Sequence, residues 1–97
     1  MKTFLILDNA VMSIFALAGR ARWLPEIWPG ALATSNAAWD ELQAGIRLGR
    51  LPEIDWSWLV ILTLTRKERA MGAELMRPLD EGEAACLVLA RSRGIAF

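Results

Sequence analysis

The sequence has 97 residues, 55% of them hydrophobic, and its eleven basic and eleven acidic side chains cancel. That length makes one domain, residues 1–97, and an apolar share above the usual range of roughly 45–50% argues against disorder. Balanced charge gives no overall basic footprint for wrapping nucleic acid. The lack of histidine excludes Ser-His and Cys-His triads and His-ligated zinc, and a single cysteine, Cys86, excludes an intrachain disulfide.

So small a domain cannot easily hide this much apolar surface, so part of it is expected to face a partner or a second copy. No apolar stretch reaches membrane-spanning length. Asp8 interrupts the N-terminal apolar run too early for a signal peptide. A cytoplasmic protein with no membrane association is the expectation.

The run Phe4 to Leu7 is apolar at every position and stops at Asp8. Such a run reads as a strand of a parallel sheet buried on both faces. Helical spacing follows from about Asn9 to Ala18, and Gly19 ends it. A second helical piece is expected over Arg20 to Trp28, with Trp23, Leu24, Ile27 and Trp28 on one face and Pro25 in its first turn. Pro29-Gly30 marks a turn. Ala31 to Thr34 reads as strand 2, and Ser35 or Asn36 as the cap of a helix running to about Leu48. Ala38, Trp39, Leu42 and Ile46 form the core stripe of that helix.

A third strand is expected within Trp56 to Leu64. Thr65 and Glu68 have the spacing of a capping box for a helix ending near Met76. Pro78-Leu79-Asp80 leads into a final helix over about Glu81 to Arg93, and Gly94 ends it. Ile95-Ala96-Phe97 opens a fourth strand. Strands alternating with helices predict a parallel sheet with helices on its faces.

Three acids sit at junctions of these elements. Asp8 ends strand 1, where it either caps the next helix or holds a ligand at the carboxyl end of the sheet. On helix 3, Asp40 points away from the core stripe and Glu41 sits at its edge, covering apolar surface or facing a cleft. Glu83 shares a face with Cys86, Leu87 and Ala90 on a helix that is apolar nearly all round, so its charge must be satisfied. Asp80 and Glu81 already fill the dipole-compensating role at that helix start. Carboxylates brought together repel unless a cation neutralises them. A hard divalent ion with oxygen ligands is the natural partner, and it can promote phosphodiester hydrolysis.

At this point a family emerges. Leu5-Ile6-Leu7-Asp8-Asn9-Ala10-Val11, then Thr34-Ser35-Asn36-Ala37-Ala38-Trp39-Asp40-Glu41-Leu42, then Leu79-Asp80-Glu81-Gly82-Glu83-Ala84-Ala85 with Leu89-Ala90 and Gly94, resemble a PIN domain, in particular the VapC-like toxins of toxin–antitoxin pairs. The resemblance implies a three-layer α/β/α fold around a central parallel sheet, with the last strand incomplete here. It implies a Mg²⁺- or Mn²⁺-dependent endoribonuclease acting on RNA, usually a homodimer, silenced by an antitoxin. The family's first three acidic positions fall on Asp8, Glu41 and Glu83, as catalytic metal ligands.

Two departures accompany it. The family's fourth acid lies in a Thr-Asp-Asp-like segment after the fourth strand, and this sequence stops at Phe97 ahead of it. The expectation is a domain lacking that segment, with cleavage weakened or lost. The alternative reading is an inactive PIN-like binding module that contacts an antitoxin or itself. The position after the first acid, often a hydroxyl residue in the family, is Asn9.

Five tryptophans offer base-stacking platforms or packing surface. Trp39 is assigned to the core, Trp23 and Trp28, beside Arg20 and Arg22, to a partner surface. Arg66, Lys67 and Arg69 make a basic helix start, a solvated face or a phosphate contact. Cys86 reads as a buried small apolar residue.

Overall fold

The computed structural model describes residues 4–28, 30–75 and 79–97. Pro29 of the expected turn, Met76 at the expected end of helix 4 and Pro78 ahead of the last helix lie outside the described residues.

The apolar N-terminal run forms β1 (Phe4–Ile6). It is followed by α1 (Asn9–Leu17), α2 (Trp23–Ile27), β2 (Ala31–Ser35), α3 (Asn36–Arg47), β3 (Leu59–Leu62), α4 (Arg66–Leu75) and α5 (Glu81–Arg93). The strands lie in the order β1-β2-β3, all parallel. Phe4 stands opposite Ala31 and Ile6 opposite Ala33. Leu32 stands opposite Leu59 and Ser35 opposite Leu62. Four consecutive residues of β2, Leu32 to Ser35, are at most 2% exposed. Adjacent strand residues point to opposite faces, so β2 is covered on both sides and the fold is α/β with helices flanking a parallel sheet. Val60 and Ile61 of β3 are partly open, as suits an edge strand.

The expected fourth strand appears as a parallel bridge between Ala96 and Leu5, with the Ile6 N–H donating to the Ala96 carbonyl at 2.7 Å. It pairs on the far edge of β1, away from β2. From β1 the chain steps outward one way to β2, and it later returns to the other side. The carboxyl end of β1 is therefore a topological switch point, where open α/β sheets place their ligands.

Met12, Ala38, Leu42, Cys86, Val88 and Leu89 join the sheet residues in one apolar core. Truncating a fully buried leucine such as Leu42 or Leu89 to alanine is expected to cost about 2–5 kcal/mol. Two elements are shorter than their patterns. Helix α2 starts only at Trp23, after a turn over Arg20 to Arg22, and β3 begins after Trp56 and Trp58, whose rings pack against each other 5.3 Å apart. Trp39 is half-buried against the core rather than enclosed by it. Among the described residues no helix is long and apolar enough to cross a membrane.

Candidate metal centre at the carboxyl rim of the sheet

The end of β1 is pinned from two directions. The Leu7 N–H donates to the Ala33 carbonyl at 2.7 Å, and the buried Thr34 hydroxyl donates to the Leu7 carbonyl at 2.6 Å. The Cys86 thiol of α5 reaches the same carbonyl at 3.5 Å. Asp8 then leaves the sheet in extended conformation and caps α1, its Oδ1 accepting from the Val11 N–H at 2.9 Å. The capping role is thus realised, and one carboxylate oxygen is engaged by it.

Asn9 begins α1 and faces across to α3. Its Oδ1 accepts from the Ser13 hydroxyl at 3.1 Å, which turns its amide nitrogen toward Glu41 Oε2, 3.5 Å away. Helix α3 starts at a buried serine cap, Ser35, whose hydroxyl accepts from the Ala38 N–H at 3.0 Å. Ala38 and Leu42 are buried on its core face, Asp40 is exposed, and Glu41 lies half-buried between them. Glu41 is the boundary residue that the helical spacing placed there. Its Oε1 accepts from the Gly82 N–H of α5 at 2.9 Å.

Asp80 caps α5, its Oδ1 accepting from the Glu83 N–H at 2.8 Å. Residues 80 and 83 of one helix turn share a side. Asn9, Ala10, Glu41, Asp80 and Glu83 together line a cavity of about 80 Å³, several times what one water needs. None of the five is basic.

Electrostatics follow from that arrangement. Burial pushes the Glu41 carboxyl above its ordinary value, and Asp80 and Glu81 push it further, while the Gly82 N–H and the Asn9 amide pull it back. The Glu83 carboxyl is also raised, first by its hydrogen bond with Asp80 and by that group's charge, with burial, Asp8 and Glu41 adding to it. This is a cluster of acids under mutual repulsion, the condition a cation relieves.

Of the three acids singled out in the sequence, Glu41 and Glu83 share the cavity. Asp8 does not line it, although its charge is felt at Glu83. Among the described residues no three His, Cys, Asp or Glu side chains come together as a ready-made metal cage. The donors present are oxygens only. That set suits Mg²⁺ or Mn²⁺ better than zinc or copper, and Mg²⁺ needs only one or two direct carboxylates with water filling the rest. Asp80, Asn9 and Gly82 join the site, although none of them is a site expectation from the sequence. There Asn9 is only the residue after the first acid, and Asp80 a helix-start acid. The Asp80-x-x-Glu83 spacing is the one signal that points to Asp80.

No protein-family model matches the sequence, and no curated protein matches it. Among solved structures the chain is similar to one described as a toxin-antitoxin complex from Klebsiella pneumoniae. The two are 20% identical with a TM-score of 0.65, over 94% of this chain and 81% of that one. At that identity the likeness establishes a shared fold, the α/β arrangement described above.

Proposed function

We propose that the chain is a PIN-type, Mg²⁺- or Mn²⁺-dependent endoribonuclease, the toxin of a toxin–antitoxin pair, cleaving RNA phosphodiester bonds in the cytoplasm. The observation that carries the reading is the meeting of Glu41 and Glu83, from two different helices, in one acidic cavity at the switch point of a parallel sheet. The fold shared with a chain of a toxin-antitoxin complex supports the context.

In this reading Glu41 and Glu83 would hold the cation, with Asp80 adding negative charge in the same cavity and Asp8 adding it from outside. A bound divalent ion supplies charge neutralisation at the phosphate and activates water for hydrolysis. Asn9, fixed by Ser13, keeps the Glu41 carboxylate turned toward the cavity. Helix α4 starts just past the carboxyl end of β3, on the same rim as Asp8. Its exposed Arg66, Lys67 and Arg69 are placed to attract the RNA backbone there, even though the whole chain is neutral.

The antitoxin is assigned to the outer face of α1 and α2. Ile14 and Leu17 of α1 and Trp23 and Ile27 of α2 are each more than half exposed, and exposed apolar side chains of this kind mark protein contacts where they cluster. The guanidinium of Arg20 stacks over the Trp23 ring, 5.3 Å from its centre, and puts a positive charge beside that exposed tryptophan. A homodimer is expected as well.

The test is cleavage of a fluorogenic RNA in Mn²⁺. Glu41→Gln and Glu83→Gln are each expected to slow it by about 10–100-fold or more, in line with the effect of disturbing a metal site. Equal rates for the wild type and both variants would remove the nuclease assignment. A binding module without catalysis is favoured by one observation, the engagement of Asp8 as a helix cap. That reading predicts antitoxin capture with no cleavage by the wild type in the same assay.

A further inference from the structure

Glycine is a poor residue inside a helix, since it loses more backbone freedom on folding than any other. Gly82 nevertheless occupies the first turn of α5, buried. Its backbone conformation does not call for glycine: the positive-φ glycines are Gly19, Gly49 and Gly94, each beyond a helix end. The reason lies across the gap. A Cβ at position 82 would stand 2.7 Å from Glu41 Oε1, 2.9 Å from its Cδ and 3.0 Å from Oε2. All three atoms belong to the carboxylate of Glu41.

The same residue also holds that carboxylate. The first N–H groups of a helix have no partner within it. In α5 the Glu83 N–H is taken by the Asp80 side chain and the Ala84 N–H by the Asp80 carbonyl at 2.9 Å. The Gly82 N–H goes instead to Glu41, 41 positions earlier in the chain, at 2.9 Å. Glu41 is thus a capping acceptor supplied to α5 by α3. The Asn9 amide, at 3.5 Å, approaches its other oxygen.

We infer that Gly82 is the positioning residue for Glu41: its N–H anchors one carboxylate oxygen, and its bare α-carbon leaves room for that carboxylate to sit where it does, beside Glu83. The obstacle a side chain would meet is the far end of a flexible glutamate, so Gly82→Ala is accommodated by moving the carboxylate and the fold survives. The functional part of this inference rests on the reading of Glu41 as a cation ligand. The anchoring part does not.

Two measurements on the full chain separate these. The first is amide hydrogen exchange by NMR, without metal. The Gly82 amide is expected to be protected in the wild type. Glu41→Ala is expected to speed its exchange about tenfold or more, while the Glu83 amide, capped by Asp80, stays as it was. Equal exchange at Gly82 with and without the Glu41 carboxylate overturns the inference.

The second is a double-mutant cycle on Mn²⁺ affinity by calorimetry, with circular dichroism confirming the fold. Gly82→Ala is expected to weaken binding about tenfold in the wild-type background and by less than about threefold in a Glu41→Asp background, because the shorter side chain stops clear of the added methyl group. The same factor in both backgrounds overturns it. A wild type that takes up no Mn²⁺ at all defeats the nuclease reading, and the exchange experiment then decides the anchoring alone.

Discussion

Glu68 carries the most demanding structural prediction. It is the acid of the capping box that opens α4: its Oε1 accepts from the Thr65 N–H at 2.8 Å, and its own N–H donates to the Thr65 hydroxyl at 3.2 Å. It also receives Arg93 from the end of α5, through Nη2 on Oε1 at 2.9 Å and Nε on Oε2 at 3.0 Å, together with the Ser92 hydroxyl. Arg93 Nη2 reaches on to the Thr63 carbonyl at 2.9 Å. One carboxylate therefore ties the end of the β3 segment, the start of α4 and the end of α5 together.

The Glu68 side chain is 8% accessible and that of Arg93 33%. An exposed pair is worth about 0–1 kcal/mol, and breaking a buried one costs about 3–5. This pair is covered on one side only, so Glu68→Ala is expected to cost about 2–3 kcal/mol, a fall in Tm on the order of 10–15 °C for a domain this small.

The Arg93 guanidinium, then Ser92 and the Thr65 N–H, hold the Glu68 carboxyl far below its ordinary value of 4.5. A depressed folded-state value means that the stabilisation is complete above the ordinary value and is lost as pH falls toward the folded one. Urea unfolding followed by circular dichroism should give a constant gap between wild type and Glu68→Ala from pH 8 to about pH 6, closing progressively below pH 4.5. A gap that is absent at neutral pH, or that widens on acidification, refutes the reasoning. The clasp sits at the opposite end of α5 from Glu83, so Mn²⁺ affinity of the folded variant should be unchanged.

Glu41 and Glu83 have the opposite sign. Their carboxyls are raised, so their ionisation lowers stability as pH climbs past the ordinary value. Asp80→Asn keeps a capping side chain but removes the repelling charge, and both glutamate carboxyls should titrate lower by carbon-13 NMR; unchanged titration would mean that Asp80 is not their main neighbour. Ser35→Ala removes the buried cap of α3 and is expected to cost about 1–2 kcal/mol in chemical denaturation, whereas a neutral result would show that α3 holds its start by packing alone. Ile14→Lys, at an exposed position of α1, should leave the fold and Mn²⁺ binding intact while abolishing antitoxin capture measured by calorimetry. Full capture by that variant moves the partner to another face.

Much of the fold is written locally. The expected bounds of α5, about Glu81 to Arg93 with Gly94 ending it, are those observed, and Asp80 and the positive-φ Gly94 are the residues that cap it. Ser35 and the Thr65–Glu68 box likewise announced the starts of α3 and α4. Spacing alone says less about Arg20 to Trp28. The expectation there is one helical face carrying Trp23, Leu24, Ile27 and Trp28, with Trp23 and Trp28 at a partner surface. In the structure Trp23 and Ile27 are exposed, while Leu24 is buried and Trp28 packs against the core.

The site was legible in part for the same reason. The placement of Glu41 at the edge of a helical stripe follows from a rotation of about 100° per residue, and nothing local says what it faces. The Gly82–Glu41 and Glu68–Arg93 contacts span 41 and 25 positions, and one sequence carries no signal for such pairs. In the sequence Asp80 reads as an acid compensating the helix dipole, and the structure makes it the cap of α5. That its helix turn also presents it to Glu83 and Glu41 emerges only when α3 and α5 are packed together.

The central claim is that the cavity between α1, α3 and α5 takes a divalent cation. Paramagnetic Mn²⁺ added in substoichiometric amounts to isotope-labelled protein tests it most directly, because amide signals vanish nearest the bound ion. The account predicts broadening centred on Asn9, Glu41, Gly82 and Glu83 and its disappearance in Glu41→Gln. Broadening centred on the exposed acids Glu53 and Asp55, or none beyond that of a bulk solute, would contradict it.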